Sequence, residues 1–224
     1  KGEAARENMV GFDFDFLWKT TNGYPVLRDM ADRLVGWDGS IAATLEGEGT
    51  KANPYKISNG EELALAVTQN KGYYYEMTND VYLNDVSSAD WKNKVNKEWN
   101  VKVLGDESSA FNGVFNGNGY KVYGLFVNKT YTAPADSNPD KTVAAGLFPT
   151  VSEGTQIYGV GIEKAYISLT NDHTTKDMSY VGYVGMVGYA YNSSSEKIVI
   201  DRCYLGEEVT LNGAFIGLVG DLGA

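Results

Sequence analysis

The chain predicts a mostly β fold, a solenoid of stacked parallel coils. Three observations predict it. Two interleaved Gly-apolar motifs recur along the second half, at spacings that suit a coil repeat. There are 26 Gly but only 5 Pro, which suits many tight turns between short strands. There are 16 Tyr among Val-, Ile- and Thr-rich runs, the residue types that fit a pleated surface.

Composition bounds the rest. At 224 residues with 43% hydrophobic content, the chain builds one large domain or a small pair. The net charge of -10 repels phosphate backbones and anionic headgroups, which argues against nucleic acid and against membrane surfaces as partners. One Cys forbids an internal disulfide. One Cys with one His also rules out the common zinc sites, and no cofactor motif is present. No secretory leader and no apolar run of membrane length occurs, so no membrane insertion is expected within this stretch. Polar Lys1–Asn8 and a final Gly217–Ala224 that breaks off within the repeat pattern lead us to expect a piece of a longer protein. The expected division is 1–36, the end of a preceding unit or an N-terminal strand region, and 37–224, the repeat domain.

Taken in order, Gly11–Phe16 alternates strictly, with Phe12, Phe14 and Phe16 on one face and Asp13 and Asp15 on the other. Those aspartates read as the solvated face of a strand, since calcium needs six or more oxygens. Trp18 and Gly23–Leu27 continue as an extended anchor. Polar, Gly-rich Asp38–Asn53 is a loop. A helix near 59–70 follows, with Ser58 and Glu61 as a capping box, Leu63, Ala66 and Val67 on one face, and Asn70–Gly72 as the stop. Such a helix suits the uncovered end of a stack. Tyr73–Leu83 holds two strands around Thr78–Asp80, with Tyr74 pointing opposite to Tyr73 and Tyr75. Asn84–Lys102 is a polar side loop pinned by Trp91 and Trp99.

The repeats begin with Phe111–Val127. Val122-Tyr-Gly-Leu125-Phe-Val127 matches Ile157-Tyr-Gly-Val160-Gly-Ile162 and then Ile200-Asp-Arg-Cys203-Tyr-Leu205. The apolar residues stand at first, fourth and sixth place, so a bend at the third restores inward parity. In the first copy Asn116-Gly-Asn-Gly119 forms the corner and Gly124 the bend. Gly146-Leu-Phe148, Gly185-Met-Val-Gly188 and Gly217-Leu-Val-Gly220 form the second series. Lys129–Lys141, Thr170–Met178 and Tyr191–Glu196 are polar insertions at turns.

On these residues the chain resembles the GLUG-motif repeats of bacterial surface proteins. The similarity lies in 113–125, 145–148, 184–189 and 216–220, with 49–57 and 78–83 resembling the lead-in and Trp18–Leu27 the close of a preceding unit. Asn116 stands where the family has Asp, and Pro149 where it runs on to Gly. The resemblance implies a right-handed parallel β-helix of the pectin-lyase or filamentous-haemagglutinin type.

Some related β-helices cleave polysaccharides, so catalytic groups matter. A lyase or hydrolase needs clustered carboxylates in one groove. Asp201-Arg202 and Glu163-Lys164 are the nearest local pairs, and Asp201-Arg202 reads as a surface ion pair or solvated face. His173 falls in a polar turn, and Cys203 takes the inward place shared by Leu125 and Val160, as a packing thiol. Asn128 and Asn192 match glycosylation acceptors and read as surface turns. The motif alignment places Tyr123, Tyr158 and Asp201 in one outward row, the candidate ligand-binding residues. The expected function is a non-catalytic, adhesin-like module of a secreted or cell-wall-associated bacterial protein, with glycan, protein or adjacent repeats of the same polypeptide as partners. The alternative is a polysaccharide lyase or glycoside hydrolase.

Overall fold

In a computed structural model, the described residues are 9, 18–19, 25–27, 36–95, 97–99, 110–131, 143–171, 182–191 and 195–222. The strand expected at Gly11–Phe16, His173 and the Asn192 acceptor lie outside them. β1 (Trp18–Lys19) pairs antiparallel with β2 (Val26–Leu27).

All other pairings among the described residues are parallel. The chain first lays down β3 (Tyr55–Ile57), β4 (Asn70–Met77) and β5 (Val81–Tyr82). It then makes three passes. The first is β6 (Asn112–Asn116), β7 (Lys121–Tyr123), β8 (Phe126–Tyr131), β9 (Val143–Ala145) and β10 (Phe148–Val151). The second is β11 (Gln156–Tyr158), β12 (Gly161–Glu163), β13 (Tyr166–Asn171), β14 (Gly182–Val184) and β15 (Val187–Ala190). The third is β16 (Val199–Asp201), β17 (Tyr204–Leu205), β18 (Thr210–Asn212), β19 (Phe215–Ile216) and β20 (Val219–Leu222). Each strand pairs with its counterpart in the next pass, giving five parallel stacks visited in a fixed order.

The stacks exist because apolar side chains fall in register. Tyr75, Phe115, Ile157 and Ile200 form one inward row. Val81, Val122, Ile162 and Leu205 form the next. Val127, Ile167 and Leu211, then Ala145, Val184 and Ile216, then Phe148, Val187 and Val219 complete the set. Members of the first two passes are fully buried. Each such burial is worth roughly 1.5–3 kcal/mol, repeated along every row. The Gly146, Gly185 and Gly217 motifs fall in the register expected, through Phe148, Val187 and Val219. A Cβ on Gly146 would stand 2.4 Å from the Gly185 carbonyl oxygen, so these backbones pack too closely for a side chain.

Left-handed backbone recurs from pass to pass at two corners. Gly124 (φ +73°) and Lys164 (φ +51°) turn the chain after β7 and β12. Gly159 (φ +66°) and Arg202 (φ +51°) turn it after β11 and β16. The non-glycine residues hold this conformation at a cost of about 1–2 kcal/mol each. As expected, Val122, Leu125 and Val127 all face inward around Gly124.

The motif alignment needs correction. Val122-Tyr-Gly and Ile157-Tyr-Gly belong to different corners: Val122 pairs with Ile162, whereas Ile157 pairs with Phe115. Both corners need the same left-handed bend between inward residues, so they carry the same pattern. The passes are therefore longer than 35 residues there: Phe115 to Ile157 is 42 and Ile157 to Ile200 is 43.

Helix α1 spans Gly60–Val67. Its cap is one residue later than expected: the Asn59 side chain accepts from the Glu62 amide, and the Glu62 carboxylate accepts from the Ser58 amide and hydroxyl. Leu63, Ala64, Ala66 and Val67 are buried in the same core as Ile57 and Met77. The helix ends at Thr68, and Asn70 already begins β4. Within the side loop after β5, Trp91 and Trp99 are buried, as expected. Trp91 meets Phe126 edge-on, and Trp99 packs on Trp37 with ring centroids 5.1 Å apart.

One corner takes chain of very different length. Residues 132–142 separate β8 from β9 and 172–181 separate β13 from β14, whereas only Gly213 and Ala214 separate β18 from β19.

Candidate functional site

Outward residues of the stacks form rows of their own. Tyr158 lies between Asn116 and Asp201, in the row that continues through Glu76 to Lys56. Tyr158 and Asp201 are thus neighbours, as expected. Tyr123 is not in that row. It belongs to the next stack, flanked by Tyr82 and Glu163. The three-residue row Tyr123, Tyr158, Asp201 does not form, because the two Tyr-Gly corners are distinct places in the pass.

On the Tyr158 row, Asp201 is engaged by its own neighbour. Arg202 Nε lies 2.9 Å from Asp201 Oδ2, with the side chains 74% and 56% exposed. This is the surface ion pair expected, and such pairs contribute about 0–1 kcal/mol. At the start of the row, Lys56 pairs with Glu76.

The stack formed by β5, β7, β12 and β17 carries a richer surface. Tyr82 and Tyr123 stack with centroids 4.6 Å apart and planes 4° off parallel. Each ring turns a face to the other, so this pair presents edges outward. Beyond it, Lys121 Nζ lies 3.8 Å from Glu163 Oε1. Tyr204 donates its hydroxyl to the same Oε1 at 3.2 Å. Tyr204 registers with Gly161 and lies across it, where an added Cβ would meet the ring at 2.4 Å. The Lys121 ammonium is held above its ordinary range, chiefly by Tyr123 and then by Tyr204. Desolvation pushes the Tyr204 phenol up. Beside Tyr204 opens a depression of about 470 Å³, lined also by Glu163, Leu205, Gly206, Glu207 and Glu208.

Sequence reasoning passed over Lys121 and Tyr204 and weighed Glu163 only as a local pair with Lys164. A signal was present: Val81-Tyr82 and Val122-Tyr123 repeat one dipeptide 41 residues apart, which is the true register of this stack. Gly161 hid the rest, since a bare position gives no hint that a later Tyr will cover it.

A second recess, of about 380 Å³, lies between Gly36–Asp38, Ser58–Glu61 and Asn79, Asp80 and Tyr82. Its polar groups are largely engaged by the local fold. Asp38 accepts from the Ser40 amide and hydroxyl, which lowers its pKa, and Asp80 accepts from the Lys121 amide. Cys203 follows Val160 as expected but not Leu125, and it is half-buried rather than buried. Desolvation raises its thiol pKa, and its sulfur lies within hydrogen-bonding reach of the carbonyls of Ile157 and Asp201. Among the described residues no group of three or more His, Cys, Asp or Glu is placed to hold a metal ion, and no helix is long and apolar enough to cross a membrane.

No family model and no solved structure matches the chain. A protein of Evansella cellulosilytica described as a "Putative Gly-rich membrane protein" is 29% identical over 136 residues, or 59% of this chain. The match covers 13% of that protein's length.

Proposed function

We propose that the chain is a non-catalytic, adhesin-like module of a secreted or cell-wall-associated bacterial protein, its passes wound as a right-handed parallel β-helix of the GLUG-repeat kind. The module presents a surface to glycan or protein and adjoins further repeats of its own polypeptide. The observation that carries the reading is the kind of residue the stacks display. Five parallel stacks repeat in fixed order. Glu76, Glu163 and Asp201, outward carboxylates of the first two stacks, each pair with a Lys or Arg, an arrangement of a tiled surface rather than of a general acid facing a base. The right-handed sense follows from the strong preference of parallel crossovers for that hand. The Gly-rich, membrane-named relative is in keeping with a place at the cell boundary.

The test is a panel of bacterial, plant and animal polysaccharides incubated with the chain, scored both for bound protein and for released sugar. Binding without product is the expected result. Release of unsaturated or reducing-end products that is lost in Asp201→Asn or Glu163→Gln would establish a lyase or hydrolase and end the non-catalytic reading.

A further inference from the structure

We propose that the outer face of β12 and β17 around Tyr204 binds an uncharged glycan; the inference rests on the chain being a binding module and names its ligand class. Tyr204 differs from the other stacked aromatics of its face. The Tyr82 and Tyr123 rings cover each other. Tyr204 instead fills the space over Gly161, whose Cβ would lie 2.4 Å from its Cζ and 2.5 Å from its Cε1. Its hydroxyl is tied to Glu163, and Glu163 to Lys121. The hydroxyl end of the ring is therefore held twice, over Gly161 and at Glu163, while 41% of the residue stays exposed. An aromatic surface fixed in advance loses little freedom when a ligand arrives.

The chemistry around the ring suits a sugar. A pyranose has a C–H face and a rim of hydroxyls. The C–H face matches an aromatic platform, and the hydroxyls need a few well-placed polar groups. Glu163 supplies an acceptor and Lys121 a donor beside the ring, both charged and so forming the stronger kind of hydrogen bond. The charge state of the ligand follows from the neighbours. Lys121 and Lys164 are matched by Glu163 and Glu208, and Glu207 adds a further carboxylate to the depression. On a chain of net charge -10, uronates and sulfated sugars are repelled. A cationic sugar must compete with lysines already seated.

The experiment uses the whole chain in titration calorimetry with four hexasaccharides, cello-, manno- and N-acetylchito-oligomers as uncharged probes and galacturonate as the anionic one, and with decalysine as the basic-peptide probe. We expect an uncharged probe to bind, with Kd changing less than about twofold between 50 and 500 mM salt. Tyr204→Ala should weaken it at least about tenfold. Gly161→Ala touches no ligand but pushes the ring aside, and should weaken it comparably. Tyr204→Phe keeps the ring and should cost less than about threefold. Thermal melts of the variants confirm that each remains folded. The site is overturned if no uncharged probe binds, if galacturonate binds more tightly, or if decalysine binds with steep salt dependence, which would mark a basic peptide as partner. If an uncharged glycan binds and neither Tyr204→Ala nor Gly161→Ala weakens it, this site falls while the module reading stands.

Discussion

The second and third passes have the same stacks and the same order of inward residues, yet they differ in what their apolar rows achieve. Ile157, Val160, Ile162, Ile167, Val184, Met186 and Val187 of the second pass are buried. Their successors Ile200, Cys203, Leu205, Leu211, Leu218 and Val219 are only partly covered, and Ile216 is 56% exposed. Patterning is the same in the two cases. The difference is whether a row has a neighbour on both sides. A strand in this architecture is stabilised by the passes flanking it rather than by its own sequence, as nearest-neighbour coupling predicts. On the other side of the stacks, α1 adds Leu63, Ala64, Ala66 and Val67 to the same core.

The largest test of this contrast is a matched pair of truncations. Ile157→Ala should cost about 2–5 kcal/mol in chemical denaturation, as for a fully enclosed side chain. Ile200→Ala, one pass later in the same row, should cost less than half as much. Equal losses would show that burial within a pass, not coverage by neighbours, sets stability.

The next test contrasts two phenols. Burial holds the Tyr75 phenol well above its ordinary range, and its hydroxyl finds no hydrogen-bond partner among the described residues. Unfolding releases that group to ionise near pH 10. Above that pH the unfolded chain binds fewer protons than the folded one, so the contribution present below about pH 10 is lost as pH rises. Tyr75→Phe should flatten the alkaline fall in melting temperature. Tyr204→Phe, at the exposed third pass, should flatten it much less; an equal effect of the two would break the comparison.

The smallest expected effect concerns the corners. Arg202 occupies in the third pass the left-handed position that Gly159 occupies in the second. Arg202→Gly should therefore raise stability by about 0.5–1 kcal/mol, despite the greater freedom of an unfolded glycine. A loss in denaturant titration would mean that the Arg202–Asp201 pair outweighs the backbone strain.

Much of the architecture was legible because inward residues must repeat if passes are to stack. The Gly146, Gly185 and Gly217 series gave its register directly, since close backbone approach admits no other residue. The helix and the pinning tryptophans were legible from capping chemistry and from their size. The candidate site was harder to read. Two corners requiring the same bend produced the same Tyr-Gly pattern, and aligning one with the other put Tyr123 beside Tyr158. A motif reports local backbone geometry, and it does not say which of several equivalent bends it serves. Tyr204 was hidden for another reason: its role depends on a missing side chain at Gly161, 43 residues away.

The corner between the third and fourth stacks has one further consequence. It is spanned by two residues in the last pass and by ten or more in the earlier ones, with the flanking strands still in register. Loop length costs little in closure entropy, so the scaffold is indifferent to what is threaded there. This makes the corner a port for foreign sequence. Peptides grafted between β18 and β19 would leave the stacks intact and enter at the corner that 132–142 and 172–181 span in the earlier passes, so successive modules could diversify their outward chemistry without renegotiating the core.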